Sequence, residues 1–220
     1  MNYTELSSAI QAYTENTETN FVAEIPVFVQ QAEQRIYNSV QFPSIRKNVT
    51  GTTTINNKYL QCPTDFLATY SLAVIDAAGA YEYLLNKDVN FIRQAYPTPA
   101  DTGTPKYYAL FGPRSDDPSE LTFILGPTPD AAYSSELHYY FYPPSITVSP
   151  YTSWLGDNFD TVLLYASLVE AYTYMKGETD MMALYNGKYQ EALALAKRLG
   201  DGLERGDAYR DGQTKIRVTT

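Results

Sequence analysis

Apolar residues recur at helical spacing near both ends of this chain, and the long middle reads as strand. Near the front, Ile25, Phe28, Val29, Ala32, Ile36 and Val40 fall at steps of three and four, which draws one apolar stripe along a helix. Near the back, Phe159, Val162, Leu163, Ala166, Val169 and Tyr172 draw a second stripe, and Met182, Tyr185, Tyr189, Ala192, Ala196 and Leu199 a third. No single helix can bury its own stripe, so the two ends are expected to pack on each other. The strands between them then form an inserted block. The expected class is α+β: a helical bundle of about four helices with an inserted antiparallel β-module.

Local signals set the expected boundaries. A short helix covers 3–13, and the next starts near Glu24 with Pro26 in its first turn, where the missing N–H is harmless. Residues 46–54 and 58–61 read as a hairpin around Asn56-Asn57, and 67–76 and 80–84 as another around Ala77-Ala78-Gly79. A short helix at 86–95 takes Asn86 as its cap and ends before Pro97. Strands at 106–111, 120–125 and 135–142 form an expected antiparallel meander, with turns at 112–118 and 126–130 rich in Gly, Pro and Asp. Gly177 reads as the left-handed residue ending the first back helix. Glycines at 200, 202, 206 and 212 then loosen the chain. The expected division is 1–45 with 155–200 as the bundle, 46–154 as the β-rich module with one short helix, and 201–220 as an extended tail.

Composition narrows the chemistry. The chain carries 25 acids against 16 bases, a net charge of −9, so tight binding to free nucleic acid is disfavoured because phosphate contacts need clustered Lys and Arg. The first 45 residues hold five acids and one base, which makes the outer face of the front helices acidic. Tyrosine is the compositional outlier: 21 residues, against 9 Phe and one Trp. A tyrosine ring has an apolar face and a polar tip, which suits half-wet strands and subunit interfaces. One cysteine, Cys62, excludes an internal disulfide framework and thiolate-cluster metal sites. Met1 to Glu5 show no basic region leading into an apolar run, and no stretch approaches the roughly 18–20 apolar residues of a membrane helix. Synthesis in a cytoplasm and no membrane partner are therefore expected.

Catalytic constellations are sparse in this chain. His138 is the only histidine and alternates with apolar neighbours along a strand; acid–base work needs an oriented partner. Cys62 reads as a small buried residue. Phosphate-loop, zincin, nucleophile-elbow and calcium-loop patterns are absent, and Gly200-Asp201-Gly202 with Gly206 has the wrong spacing and follows a helix rather than a strand. Asp116, Asp117, Asp130 and Glu136 could supply paired carboxylates, but with 25 acids some proximity is expected by chance. The chain is read as a non-enzyme, with no catalytic, cofactor-binding or metal-binding residue.

Several fragments, in order, carry a resemblance. They are Phe21…Ile25-Pro26-Val27-Phe28-Val29-Gln30-Gln31-Ala32-Glu33-Gln34-Arg35-Ile36, Tyr59-Leu60-Gln61-Cys62-Pro63-Thr64-Asp65-Phe66-Leu67 and Pro105-Lys106-Tyr107-Tyr108-Ala109-Leu110. Gly126-Pro127-Thr128-Pro129-Asp130, Leu137-His138-Tyr139-Tyr140…Pro143-Pro144 and Leu163-Leu164-Tyr165-Ala166-Ser167-Leu168-Val169-Glu170-Ala171…Asp180…Tyr185…Tyr189 follow. Their shared order across about residues 20–200 resembles the head-to-tail adaptor (connector) proteins of short-tailed bacteriophages, among the portal-bound ring adaptors.

The resemblance implies a virion component at the neck, a homo-oligomeric ring, usually twelve-membered, docked beneath the portal protein. Such a ring extends the DNA channel, without sequence-specific binding, and offers a platform to a tail tube or nozzle protein. By the same resemblance Tyr209, Arg210, Lys215, Ile216 and Arg217 are candidate portal contacts. The turn carrying Arg114, Asp116 and Asp117 is a candidate contact for tail proteins or neighbouring subunits. Two rival readings are a β-rich carbohydrate- or receptor-binding module of a phage tail, favoured by exposed Tyr stripes, and a glycoside hydrolase, which would need two carboxylates converging on a cleft.

Overall fold

The structure, a computed structural model, describes residues 1–113 and 120–205. Two compact units divide the chain: Met1–Ile45 with the described residues from Pro143 onward, and Arg46–Tyr142. Residues 143–154, expected as the crossing end of the β-rich module, pack with the helices. The class is α+β, six α-helices among the described residues and two four-stranded sheets.

In the first unit, α1 (Tyr3–Thr14) opens with a capping box in which Asn2 Oδ1 accepts the Glu5 N–H and Glu5 accepts the Asn2 N–H. Next comes α2, which spans Thr19–Ser39, a turn and more earlier than the sequence suggests, so Pro26 lies inside it. An interior proline costs about 3 kcal/mol relative to alanine. The burial of Phe21, whose ring lies 5.8 Å from Phe28 and 6.3 Å from Tyr174, offsets that cost by extending the apolar stripe upstream.

The return helices are α4 (Trp154–Asn158), α5 (Asp160–Met175) and α6 (Thr179–Arg205). Helix α5 packs against α1, α2 and α6, so front and back helices do close on one another. Flanked by three helices, α5 buries Leu164, Ser167, Leu168 and Ala171 beyond the single stripe read from its spacing. The buried Ser167 hydroxyl donates to the Leu163 carbonyl at 2.8 Å, leaving no polar group stranded. Arg35 of α2 pairs with Glu170 of α5. The left-handed residue ending α5 is Lys176 (φ +53°), not Gly177. Gly177 matters for another reason: a Cβ there would meet Tyr172 Cδ1 at 2.6 Å. Helix α6 continues past Gly200 and Gly202, since glycine only weakens a helix by about 1 kcal/mol.

One carboxylate in this unit escapes the sequence reading. Glu33, 3% exposed, lies on the buried side of α2 and accepts the Ile146 N–H at 3.0 Å, tying down the segment that returns from the strands. Burial raises its pKa above the ordinary glutamate value, against the lowering effect of bonds from Ser145 and Ile146. The folded state therefore holds the proton more tightly than the unfolded one. The contribution of Glu33 to stability is complete below the ordinary glutamate pKa and declines as pH rises through the raised value. Glu33→Gln keeps an acceptor for Ile146 and should flatten that decline, as read from denaturant midpoints between pH 4 and 8. Glu33→Ala should cost about 1–3 kcal/mol by stranding a buried N–H.

The second unit is built of strands. One sheet has the order β1 (Arg46–Thr52), β8 (Ser134–Tyr140), β3 (Ala68–Ile75), β4 (Tyr81–Tyr83), antiparallel throughout. The other has the order β2 (Tyr59–Gln61), β7 (Leu121–Gly126), β6 (Tyr107–Pro113), β5 (Leu85–Asn86), with β5 parallel to β6. Hence β1 and β2 are not the expected hairpin, and β8 is not the third strand of a meander; each crosses to a different sheet. The hairpin β3–β4 forms as read, with Gly79 at φ +83° in its turn.

Leu72, Val74, Leu137 and Tyr139 of the first sheet meet Tyr108, Phe123 and Leu125 of the second, with Cys62 and Leu84 completing the core. Helix α3 (Val89–Ala95), capped by Asp88 rather than Asn86, seats Ile92 on Ala109 and Ile124, covering the far side of the second sheet. Gly126 permits that approach, because a Cβ would lie 2.8 Å from Ile92 Cγ2.

At the end of the first sheet, Tyr139, 1% exposed, donates its hydroxyl to Asp65 Oδ1 at 2.7 Å, and Lys47 Nζ reaches Asp65 Oδ2 at 2.8 Å. The Lys47 ammonium holds the Asp65 carboxyl below the ordinary aspartate value. That contribution is complete above the ordinary aspartate pKa and is lost as pH falls through the depressed one. Asp65→Ala leaves the Tyr139 hydroxyl without its acceptor and should cost about 1–3 kcal/mol in urea unfolding at neutral pH.

Candidate functional site: the outer face of the first sheet

Alternation along β8 sends Ser135, Leu137 and Tyr139 to the core and Glu136, His138 and Tyr140 to the opposite face. Register carries the same face across β3 and β4 to Ser71, Tyr81 and Tyr83, and across β1 to Arg46, Asn48 and Thr50. A bulge between Thr69 and Ser71 re-aims Tyr70. Tyr70, Tyr81 and Tyr83 are 58, 48 and 64% exposed.

These side chains form one continuous row. The Arg46 guanidinium lies 5.1 Å from the Tyr70 ring centroid and 5.7 Å from that of Tyr140, and the two rings meet edge to face at 6.0 Å. Ser71 Oγ is 3.2 Å from His138 Nδ1, and His138 Nε2 is 3.5 Å from Glu136 Oε1. The Tyr81 hydroxyl donates to Glu136 Oε2 at 3.4 Å, and Tyr81 stacks on Tyr83 at 6.1 Å. The Glu136 charge is the main reason that the Tyr81 phenol is raised above its ordinary pKa.

Ser71, His138 and Glu136 have the residue types of a nucleophile relay, but they lie on an open sheet face. A shallow depression of about 600 Å³ is lined by other residues, among them Tyr96, Asp101, Thr104 and Lys106. Asp130 is engaged with the Tyr133 hydroxyl, apart from Glu136. Cys62 is buried, and burial pushes its thiol pKa up to about 12, far from a reactive thiolate. Among the described residues no group of three or more His, Cys, Asp or Glu is placed to hold a metal ion, and no helix is long and apolar enough to cross a membrane. What the row can do is recognise: rigid aromatic rings flanked by a cation, an anion and hydroxyls are the usual ingredients of a protein interface.

Arg114, Asp116 and Asp117, and Tyr209, Arg210, Lys215, Ile216 and Arg217, fall outside the described residues. The exposed row was not singled out from sequence, although Tyr81-Glu82-Tyr83 carries its signal: aromatic rings alternating with a charge at strand period. A family model described as SU10 adaptor protein matches residues 1–215. No curated protein matches the chain.

Proposed function

The chain belongs to the SU10 adaptor protein family, structural components of phage that act between head and tail, and on that premise we propose that its copies assemble into a ring at the neck of the virion. The ring docks beneath the portal protein, extends the DNA channel and presents a platform to the tail tube or nozzle. The family match across 1–215 carries this reading. Two features support it. A net charge of −9, with a single base against five acids in the first 45 residues, of which only Glu33 is buried, suits a wall past which DNA slides without sticking. An exposed, rigid row of tyrosines suits contact with other subunits or tail proteins.

In this reading Tyr209, Arg210, Lys215, Ile216 and Arg217 reach the portal, and Arg114, Asp116 and Asp117 face the tail or a neighbouring subunit. Electron microscopy of the full chain mixed with portal tests the ring directly: a collar-shaped density is expected. A chain that sediments as a monomer, alone and with portal present, would overturn it.

A further inference from the structure

We propose that neighbouring copies join edge to edge through the first sheet, β1 of one copy pairing with β4 of the next. The inference rests on the ring reading and names the surface that closes it. Among the described residues both edges are open: β1 pairs only with β8 and β4 only with β3, and 47–52 and 81–83 are exposed. The seven residues of β1 include no proline and no bulge, and its two charges, Arg46 and Lys47, sit at one end and leave 48–52 uncharged.

Hydrogen-bond parity fits the two edges together. The Thr53 N–H donates to the Tyr133 carbonyl, so the alternation along β1 turns the backbone groups of Arg46, Asn48 and Thr50 away from β8. On the other side, Leu84 N–H donates to Leu72 and Asp76 N–H to Ala80. The same alternation turns Tyr81 and Tyr83 outward. All of these residues carry their side chains on one face of the sheet, so joining the edges keeps the core faces aligned.

Direction agrees as well. Three antiparallel steps separate β1 from β4, so they run oppositely, and β4 laid beside the next copy's β1 extends the sheet in antiparallel order. Charge selects the register. Opposing Arg46 to Tyr83 and Asn48 to Tyr81 places Lys47 across from Glu82; β1 holds bases and no acid, β4 an acid and no base. A contact between two different edges is heterologous, the kind that closes rings.

Cysteine pairing tests this. Hydrogen-bonded antiparallel partners have Cα atoms about 5.5 Å apart, within disulfide reach, and native Cys62 is buried. The full chain carrying Asn48→Cys and Tyr81→Cys, oxidised at high concentration, should give a ladder of covalent multimers on a non-reducing gel. Each single variant should stay monomeric there. Native mass is measured in parallel: a ring without a ladder overturns the edge pairing and leaves the ring reading standing. A monomer without a ladder overturns both. A covalent dimer from Asn48→Cys alone would mean two-fold β1–β1 pairing and overturn the head-to-tail contact. If the double variant fails to fold, Asn48→Pro removes one outward N–H while sparing the β8 ladder. Unchanged far-UV dichroism with about a tenfold rise in the concentration needed for assembly is expected; unaltered assembly counts against the proposal.

Discussion

Phe123→Ala lowers the unfolding free energy by about 3–5 kcal/mol, the largest loss expected from any single truncation in the strand unit. Phe123 is fully buried on β7, between the two sheets. Its ring meets Phe66 edge to face at 5.5 Å and 87°, and Tyr108 at 5.5 Å and 90°. Truncation loses the transfer free energy of the ring, both aromatic contacts and the packing that a rigid pair of sheets cannot recover by collapse. Urea unfolding followed by far-UV dichroism should show an earlier midpoint with an unchanged slope. Phe123→Leu, which keeps most of the apolar volume, should cost less. Equal losses for Ala and Leu would mean that shape, not burial, governs the site.

Phe42→Ala is the counterpart in the helical unit, again with an expected cost of about 3–5 kcal/mol. Phe42 is fully buried just beyond α2 and lies 5.2 Å from Trp154 and 5.1 Å from Phe159, which are themselves 5.5 Å apart. This triad joins the point where the chain leaves the helices to the point where it re-enters them. Trp154 is the chain's one tryptophan, so its fluorescence, excited on the red edge where tyrosine does not absorb, reads this site alone. Alanine at 42 should red-shift its emission in the native state and move the unfolding midpoint. Combining Phe42→Ala with Phe159→Ala should cost less than the two single losses added, by about 0.5–1.5 kcal/mol, because the rings share one contact. Strict additivity would show that the triad is three independent burials.

Much of the fold was legible because it is written locally. The front helix at Tyr3–Thr14, the turn at Gly79 and the short helix before Pro97 follow from spacing, capping and φ preferences within a few residues. The errors have a common source. Local cost alone marks Pro26 and Gly200 as boundaries, yet burial elsewhere on the helix or good flanking residues outweighs it. The left-handed φ that Gly177 suggests falls to Lys176, and the requirement at 177 is room for the Tyr172 ring. Glu33 looked like one more acid on a solvated face, until the returning chain placed Ile146 over it. The aromatic row was hidden for the same reason: Tyr70, Tyr140, Ser71 and Tyr81 come together only through strand register.

The order of elements, the apolar stripe of α2 and the turn at Gly79 were determined by the sequence itself, because periodicity within a segment states which side must leave water. Which strand lies beside which was decided only by the tertiary structure: β8 between β1 and β3, β7 in the other sheet, β5 parallel to β6. Strand pairing spends backbone hydrogen bonds that every residue type offers alike, so the partner is chosen by closure of long loops and by the fit of two cores.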